Sequence, residues 1–317
     1  QARAVEASSC AGENLLAAME RDDPATLADI RAAAARAENG DALLWRIDRD
    51  GGAPSYLFGT MHLSDPRVLA LPRPVEAAFE ASETLVIETT DVLDPSRMMA
   101  AMLSDPALMM FTDDTTLFSL LSRDDLAALE DGLDRFGIPP SSVARMKPWM
   151  LASMVAMPAC ERARKAAGEP VLDVVLAERA QAAGKRVEGL ETGAEQLAAI
   201  ASLPMDFHLR GLIDLMRLGD RVDDVMETMT IIYLGGDTGV FAPFFEKALP
   251  AVDGGDGGFP VFEEAMITAR NHTMAERAAP FLDAGGAFVA VGALHLPGGE
   301  GLVALLRDAG YRVEAVR

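Results

Sequence analysis

The chain has 317 residues, 28 basic and 49 acidic, for a formal net charge of −21; half of it is apolar and 6% aromatic. Those proportions describe an ordinary globular protein, and the acidic excess without any basic run argues against nucleic acid and against an anionic membrane surface. The longest uncharged stretch, Ala284 to Gly299, has 16 residues broken by Pro297, several glycines and His295, short of the ~20 apolar residues that a membrane span needs.

In chain order, Asp23-Pro24 is a good N-cap and first-turn pair for a helix reaching about Glu38, and Gly40 ends it. Leu43 to Ile47, the turn Asp50-Gly51-Gly52 and Ser55 to Phe58 read as strand, tight turn, strand. A helix over Pro74–Ala81 precedes Thr84 to Glu88, a short apolar run of the kind that forms a buried strand. Helices are expected over Asp94–Leu103, Ser122–Phe136, Pro139–Met157 and Pro170–Ala183, then a strand over Lys185–Leu190 and a helix from about Gly193. A helical region from Met205 to Leu234 breaks near Gly219, and Asp253 to Gly258 reads as a flexible loop suited to a lid. The end gives a helix over Val261–Leu282, a strand over Ala287–Val291, a helix over Gly298–Ala309 and a last strand over Tyr311–Val316. Strands separated by helices predict an α/β fold with a mixed, mainly parallel central sheet, flanking helices and a large helical insertion or cap. We expect an N-terminal helical segment at 1–40 and one domain at 41–317, with the insertion at about 94–183 and 193–283.

Two of the four histidines share one context: an apolar strand followed by Gly-x-x-His. These are Gly59-Thr60-Met61-His62 and Gly292-Ala293-Leu294-His295. Glycine after a strand lets the backbone turn sharply and approach a ligand closely, and the histidine then sits beyond the strand's carboxyl end, where open α/β sheets build their sites. Glu88 and Glu191 end two further strands, so all four side chains are expected at one edge. Two histidines with one or two carboxylates suit Zn, Mn, Fe or Co, with positions left for water and substrate. A spare glutamate is then a candidate general base, with Glu191 ranked ahead of Glu188 as a strand-end acid, and Arg270 a candidate for binding a carboxylate or a developing oxyanion. His208 and His272 have no supporting context, and the methionines at 98, 99, 102, 109 and 110 fit helix core packing. HExxH, CxxC, GxSxG and GxGxxG motifs are absent.

The two cysteines, Cys10 and Cys160, are compatible with one disulfide, and a first residue Gln1 fits either a removed export signal or an engineered start. We therefore expect a periplasmic or secreted protein with a Cys10–Cys160 bridge.

Together, Gly59-Thr60-Met61-His62, the strand ending at Glu88, Gly189-Leu190-Glu191-Thr192 with Glu195-Gln196, Arg270-Asn271 and Val291 to Leu296 resemble the TraB/GumN family, related to the TIKI proteases and TraB/PrgY proteins. The resemblance covers about Leu43 to Arg317; one departure is His272-Thr273, where arginine or another polar residue is common in the family. It implies a fold akin to the erythromycin-esterase and ChaN-like proteins, and a metal-dependent, peptidase-like hydrolase using manganese or cobalt, with zinc also compatible. His62, Glu88 and His295 are then the principal residues, with Glu191 and Arg270 supporting, and the partner is a peptide or small-molecule substrate. The competing expectations are a metal-independent esterase or lactonase, and a haem- or metal-binding protein of ChaN-like type.

Overall fold

The computed structural model describes residues 10, 12–49, 51–248 and 258–317. Six strands form one sheet: β1 (Leu44–Asp48), β2 (Ser55–Thr60), β3 (Thr84–Ile87), β4 (Arg186–Gly189), β5 (Ala287–Gly292) and β6 (Arg312–Ala315). Their spatial order is β4-β3-β5-β2-β1-β6. The first four in that order are mutually parallel, and β1 runs antiparallel to both β2 and β6. This is the mixed, mainly parallel α/β sheet that the pattern predicts.

The sheet is covered on both faces, and β5 shows why. Phe288 and Ala290 point into one apolar cluster with Phe58, Phe79, Leu85 and Leu176. Val289 and Val291 point into another with Trp45, Ile47, Leu282 and Leu302. A two-residue period sends alternate side chains to opposite faces, so a strand buried on both sides reads as a continuous apolar run. Phe288 packs at 5.8 Å from Phe58 and edge-on at 5.5 Å from Phe79.

The long β3–β4 and β4–β5 connections carry most of the helices. Part of this helical layer has its own apolar cluster, built from Leu129, Leu133, Leu151, Val155, Leu212 and Met216. The expected helix over 139–157 is two short helices, Pro140–Val143 and Pro148–Val155. Lys147 precedes a proline and adopts an extended backbone as the N-cap of the second helix, which keeps the two from joining. The 205–234 region breaks as expected, into Met205–Leu218 and Arg221–Gly235. The region over 258–284 is helical in three pieces, with a π-helical stretch over Glu264–Thr268 between Gly258–Glu263 and Ala269–Ala284. Residues 253–257 of the expected lid loop lie outside the described residues, as do the side chains of Met98 and Met102. Met99 and Met110 correct the core-packing expectation: they are 55% and 46% exposed, because Pro95–Ser104 and the turn at Met110 lie on the surface of the helical layer. No helix among the described residues is long and apolar enough to cross a membrane.

Helices Leu15–Asp22 and Pro24–Ala34 place Leu15 and Ile30 in the sheet's own apolar cluster. Cys10, ahead of them, is bridged to Cys160 in the helix Ala159–Ala166, with Cα atoms 5.5 Å apart and 150 positions between them in sequence. Closing a loop of that size restricts the unfolded chain by on the order of 4–5 kcal/mol as a ceiling, and native-state effects commonly reduce the gain. We expect Cys160→Ser, or reduction, to lower the unfolding free energy by about 2–4 kcal/mol in urea titrations. Thiol titration of the denatured, unreduced protein should find neither cysteine reactive.

Candidate functional site

The carboxyl ends of the four parallel strands meet at one edge of the sheet. His62 lies two residues beyond β2, Glu88 directly follows β3, Glu191 lies two beyond β4 and His295 three beyond β5. Thr60 pairs with Gly292 and Ile87 with Ala290 across the sheet, which brings positions distant in sequence to one place. The two strand-end glycines are required by close approach. A Cβ on Gly59 would lie 2.7 Å from Leu296 Cδ1 and 3.0 Å from Ala293 Cα. One on Gly292 would lie 3.2 Å from Glu88 Oε1 and 3.6 Å from His62 Nε2, inside the site.

Both imidazoles face one oxygen. His62 Nε2 and His295 Nε2 each stand 3.8 Å from Glu88 Oε1. The other nitrogen of each ring is engaged: His62 Nδ1 with Asp173 Oδ2 and His295 Nδ1 with Asn271 Oδ1, both at 2.7 Å. Asn271 Nδ2 donates to the Glu300 carbonyl at 2.8 Å, so its Oδ1 is the atom turned to the ring and His295 carries its proton on Nδ1. Thr60 Oγ1 donates to the second oxygen of Asp173 at 2.8 Å. Rings held through Nδ1 by a carboxylate or an amide oxygen, with Nε2 turned inward, are how histidine ligands are oriented.

Glu88 is buried, and its oxygens have separate partners. Oε1 accepts from the Gly292 N–H at 2.7 Å; Oε2 accepts from Arg270 Nη2 at 2.7 Å and from Gln196 Nε2 at 3.0 Å. Burial opposes its ionisation, but His295, His62, Arg270 and the Gly292 N–H together pull its pKa down to about 2. Burial takes His295 down to about 4, so its ring is neutral at physiological pH. For His62, burial is outweighed by Asp173, through charge and hydrogen bond, and by Glu88, which carry it up to about 9. The rings also differ in exposure: the His62 side chain is 57% exposed and that of His295 6%.

Arg270 joins the two acids. Its Nη2 also donates to Glu191 Oε2 at 2.6 Å, its Nε reaches both Glu191 oxygens at 3.1 and 3.2 Å, and Nη1 donates to the Met266 carbonyl at 3.0 Å. The guanidinium is thus occupied by two protein carboxylates and a carbonyl. A cavity of about 200 Å³ opens over His62, Glu88, Arg270 and His295, with Met229, Tyr233, Phe241, Phe262 and Leu294 among its walls.

The donor set fits a divalent ion in kind: two imidazole nitrogens, one carboxylate oxygen, and a glycine where any side chain would intrude. Ligands on a tetrahedral ion stand about 3.4 Å apart; the two 3.8 Å separations are somewhat longer, and the two imidazole Nε2 atoms are more than 4.8 Å from each other, so the rings would have to draw together to share one ion. Among the described residues, the group with three ligand atoms all within 4.8 Å of one another is Cys10, Asp65 and Glu161. Its sulfur is in the disulfide, while Asp65 pairs with Arg67 and Glu161 with Arg164. It is an ion-pair network beneath a disulfide.

His272 lies on the surface against Glu300, 3.3 Å away, and Glu188 lies partly buried on β4. Asp173 was not anticipated, although an acid set inside the apolar run from Val171 to Leu176 was a signal for it.

The TraB/PrgY/gumN family model matches residues 43–315. Metalloprotease TIKI2 of Danio rerio is 25% identical over 329 aligned positions, which cover 86% of this chain and 61% of that protein. The chain therefore spans about three fifths of that relative's length. No solved structure gives a significant match.

Removing Arg270 leaves two buried carboxylates without their shared cation. We expect Arg270→Met to lower stability by about 3–5 kcal/mol and Glu191→Gln in that background to restore part of it, measured as a double-mutant cycle. The acid dependence has a definite sign. With its carboxyl at about 2 in place of the ordinary 4.5, Glu88 contributes stability that is complete above about pH 4.5 and is lost as pH falls through about 2. Chelator-treated wild type should lose unfolding free energy over that window in urea titrations, and Arg270→Met should show a shallower loss.

Proposed function

The chain belongs to the TraB/PrgY/gumN family, and on that premise we propose that it is a metal-dependent hydrolase acting on peptides. The observation that carries this reading is the pair of histidine Nε2 atoms facing one ionised carboxylate oxygen, each ring anchored through its other nitrogen. His62, Glu88 and His295 would hold the ion. His295 is neutral and pinned, Glu88 is ionised, and His62 is the exposed ring that has to give up its proton and move in. When bound, a divalent ion supplies Lewis acidity toward a carbonyl and lowers the pKa of a water. Manganese or cobalt is our assignment; zinc suits the same donors.

The remaining roles follow from contacts. Asp173 and Asn271 orient the two imidazoles. Arg270 and Gln196 hold Glu88 Oε2, which leaves Oε1 toward the histidines. We assign Glu191 and Arg270 as positioning residues, since each is satisfied by the other. Tyr233 lines the cavity while its hydroxyl donates to the Gly59 carbonyl at 3.1 Å, and burial, then Asp173, raises its pKa, so it stays protonated. The apolar walls suit a peptide segment that displaces water. The disulfide supports a periplasmic or extracellular place of action.

A metal-free mechanism with His62 as base requires the ring to give up the proton that Asp173, 2.7 Å from Nδ1, favours. The direct test is elemental analysis of the purified protein with peptide hydrolysis measured in parallel. We expect one ion per chain, loss of hydrolysis with chelator, and recovery on adding manganese or cobalt. His295→Ala and Glu88→Gln should each lower metal affinity at least tenfold, and His62→Ala should do so while costing about 1–3 kcal/mol of stability, because it leaves the buried Asp173 carboxylate without its partner at 2.7 Å. Full hydrolysis by metal-free protein would instead establish a metal-independent esterase or lactonase type. A Soret band on haem titration, with no hydrolysis, would establish a binding protein.

A further inference from the structure

The cavity over His62, Glu88 and His295 holds about 200 Å³. Sites for whole small molecules run to about 300–1,000 Å³, whereas an apolar cavity of about 150 Å³ takes one benzene ring. The space therefore matches a single large side chain. Its direction follows from burial. The His62 side chain is 57% exposed and stands at the mouth, while Tyr233 and Phe241, each 3% exposed, form the closed end. A side chain entering past His62 leaves its own backbone at the mouth, beside the exposed imidazole.

The lining decides which kind of side chain fits. Met61, Met229, Phe262, Met266, Ile267 and Leu294 make the walls between those ends. The polar groups among them are committed elsewhere. Thr60 Oγ1 donates to Asp173, and the Tyr233 hydroxyl donates to the Gly59 carbonyl. Arg270 is shared by Glu88, Glu191 and the Met266 carbonyl, and both Glu88 oxygens already accept hydrogen bonds. Apart from the two histidine Nε2 atoms assigned to the ion, the described lining side chains have no counter-charge or donor to spare. A lysine or glutamate side chain would lose its hydration there without replacement. An apolar side chain pays no such penalty and gains with every methylene buried. Three of the wall residues are methionines, whose flexible thioether chains adapt to a branched chain or a phenyl ring, so the selection is by polarity and size.

We propose that this cavity is the subsite for one large apolar side chain, that of leucine, methionine or phenylalanine, carried by the substrate residue next to the bond that is cut, and that Met229, Phe262 and Met266 set its size limit. The proposal rests on the peptide-hydrolase reading and names its substrate class, but the binding it requires can be measured without turnover.

The test uses the full chain labelled with ¹³C at the methionine methyls and titrated with the N-acetyl amides of leucine, phenylalanine, alanine and lysine. We expect the leucine or phenylalanine amide to shift the Met229 and Met266 methyl resonances and to bind roughly tenfold or more tightly than the alanine amide, on the scale of discrimination that apolar pockets give. The lysine amide should bind no better than the alanine amide. Met229→Ala should widen the cavity and let the tryptophan amide bind at least as tightly as the leucine amide. A leucine amide that binds no better than the alanine or the lysine amide in wild type, or that leaves both methyls unshifted, would overturn the subsite, and neither result depends on the variant folding. Peptide cleavage then separates the two readings. Amide binding with the stated preference but no cleavage of leucine-, methionine- or phenylalanine-containing peptides retains the subsite and removes the hydrolase. Cleavage that gains nothing from those residues over alanine on either side of the cut bond retains the hydrolase and removes the subsite.

Discussion

Arg270 sits between Glu88 and Glu191, two buried carboxylates at the ends of neighbouring parallel strands, and the arrangement of the site depends on it. Two anions at that separation in a desolvated edge repel each other and lose hydration; a cation between them offsets both costs. Its planar fork also divides the oxygens. One amine spans Glu88 and Glu191, so Glu88 presents its other oxygen to the Gly292 N–H and the two imidazoles. The guanidinium comes from the first turn after the π-helical stretch and donates back to Met266 within it. That irregular turn is where the helix re-aims toward the strand ends, in keeping with π-helical turns clustering at functional sites.

The paired Gly-x-x-His motifs place equivalent side chains in unequal surroundings. His295 follows a strand buried on both faces and continues into a 3₁₀ turn, so its ring is enclosed and Asn271 fixes its tautomer. His62 follows β2 into an irregular segment and remains open to solvent, with a carboxylate behind it in place of an amide. Burial keeps the His295 ring neutral, whereas the Asp173 carboxylate, with Glu88, draws a proton to His62. One ring is enclosed and neutral, and the other is open and held toward its protonated form by its partner.

The sheet was readable because its strands are short and apolar on both faces. Leu85-Val86-Ile87 and Phe288-Val289-Ala290-Val291 leave little choice but burial, and glycine after β2 and β5 marks where each chain turns. The four side chains named from those strand ends fall at one edge for that reason. What could not be read was tertiary in origin. The mutual pairing of Arg270 and Glu191 is such a contact, and nothing in their local sequence reports it. Asp173 belongs to a helix 111 positions after His62, so its role exists only once the chain has folded. Lys147-Pro148 was a readable helix break that the surrounding apolar run concealed.

Part of the helical layer has its own apolar cluster, while Leu172, Leu176, Ile232 and Tyr233 from other helices pack in the sheet's cluster; polar links add to that hold, and several converge on the segment that carries His62. The Ser64 N–H and hydroxyl both donate to Glu161 Oε2, at 3.1 and 2.6 Å, and Leu172 N–H donates to the Leu63 carbonyl at 3.2 Å. Asp65 pairs with Arg67, which reaches Glu227 with two bonds of 2.7 Å, while Glu161 pairs with Arg164. Glu161 is the neighbour of Cys160, so the disulfide anchors the helix that holds the residues just after His62. Buried ion pairs add little net stability, since desolvation cancels most of their attraction, but breaking one is costly. Their effect here is geometric: they fix where the segment after His62 lies, and Asp173, from the helix that Leu172 opens, fixes the ring. The exposed histidine is therefore held from both sides by the helical layer, which makes that layer, with its own core and its disulfide, part of the site's geometry as well as its cover.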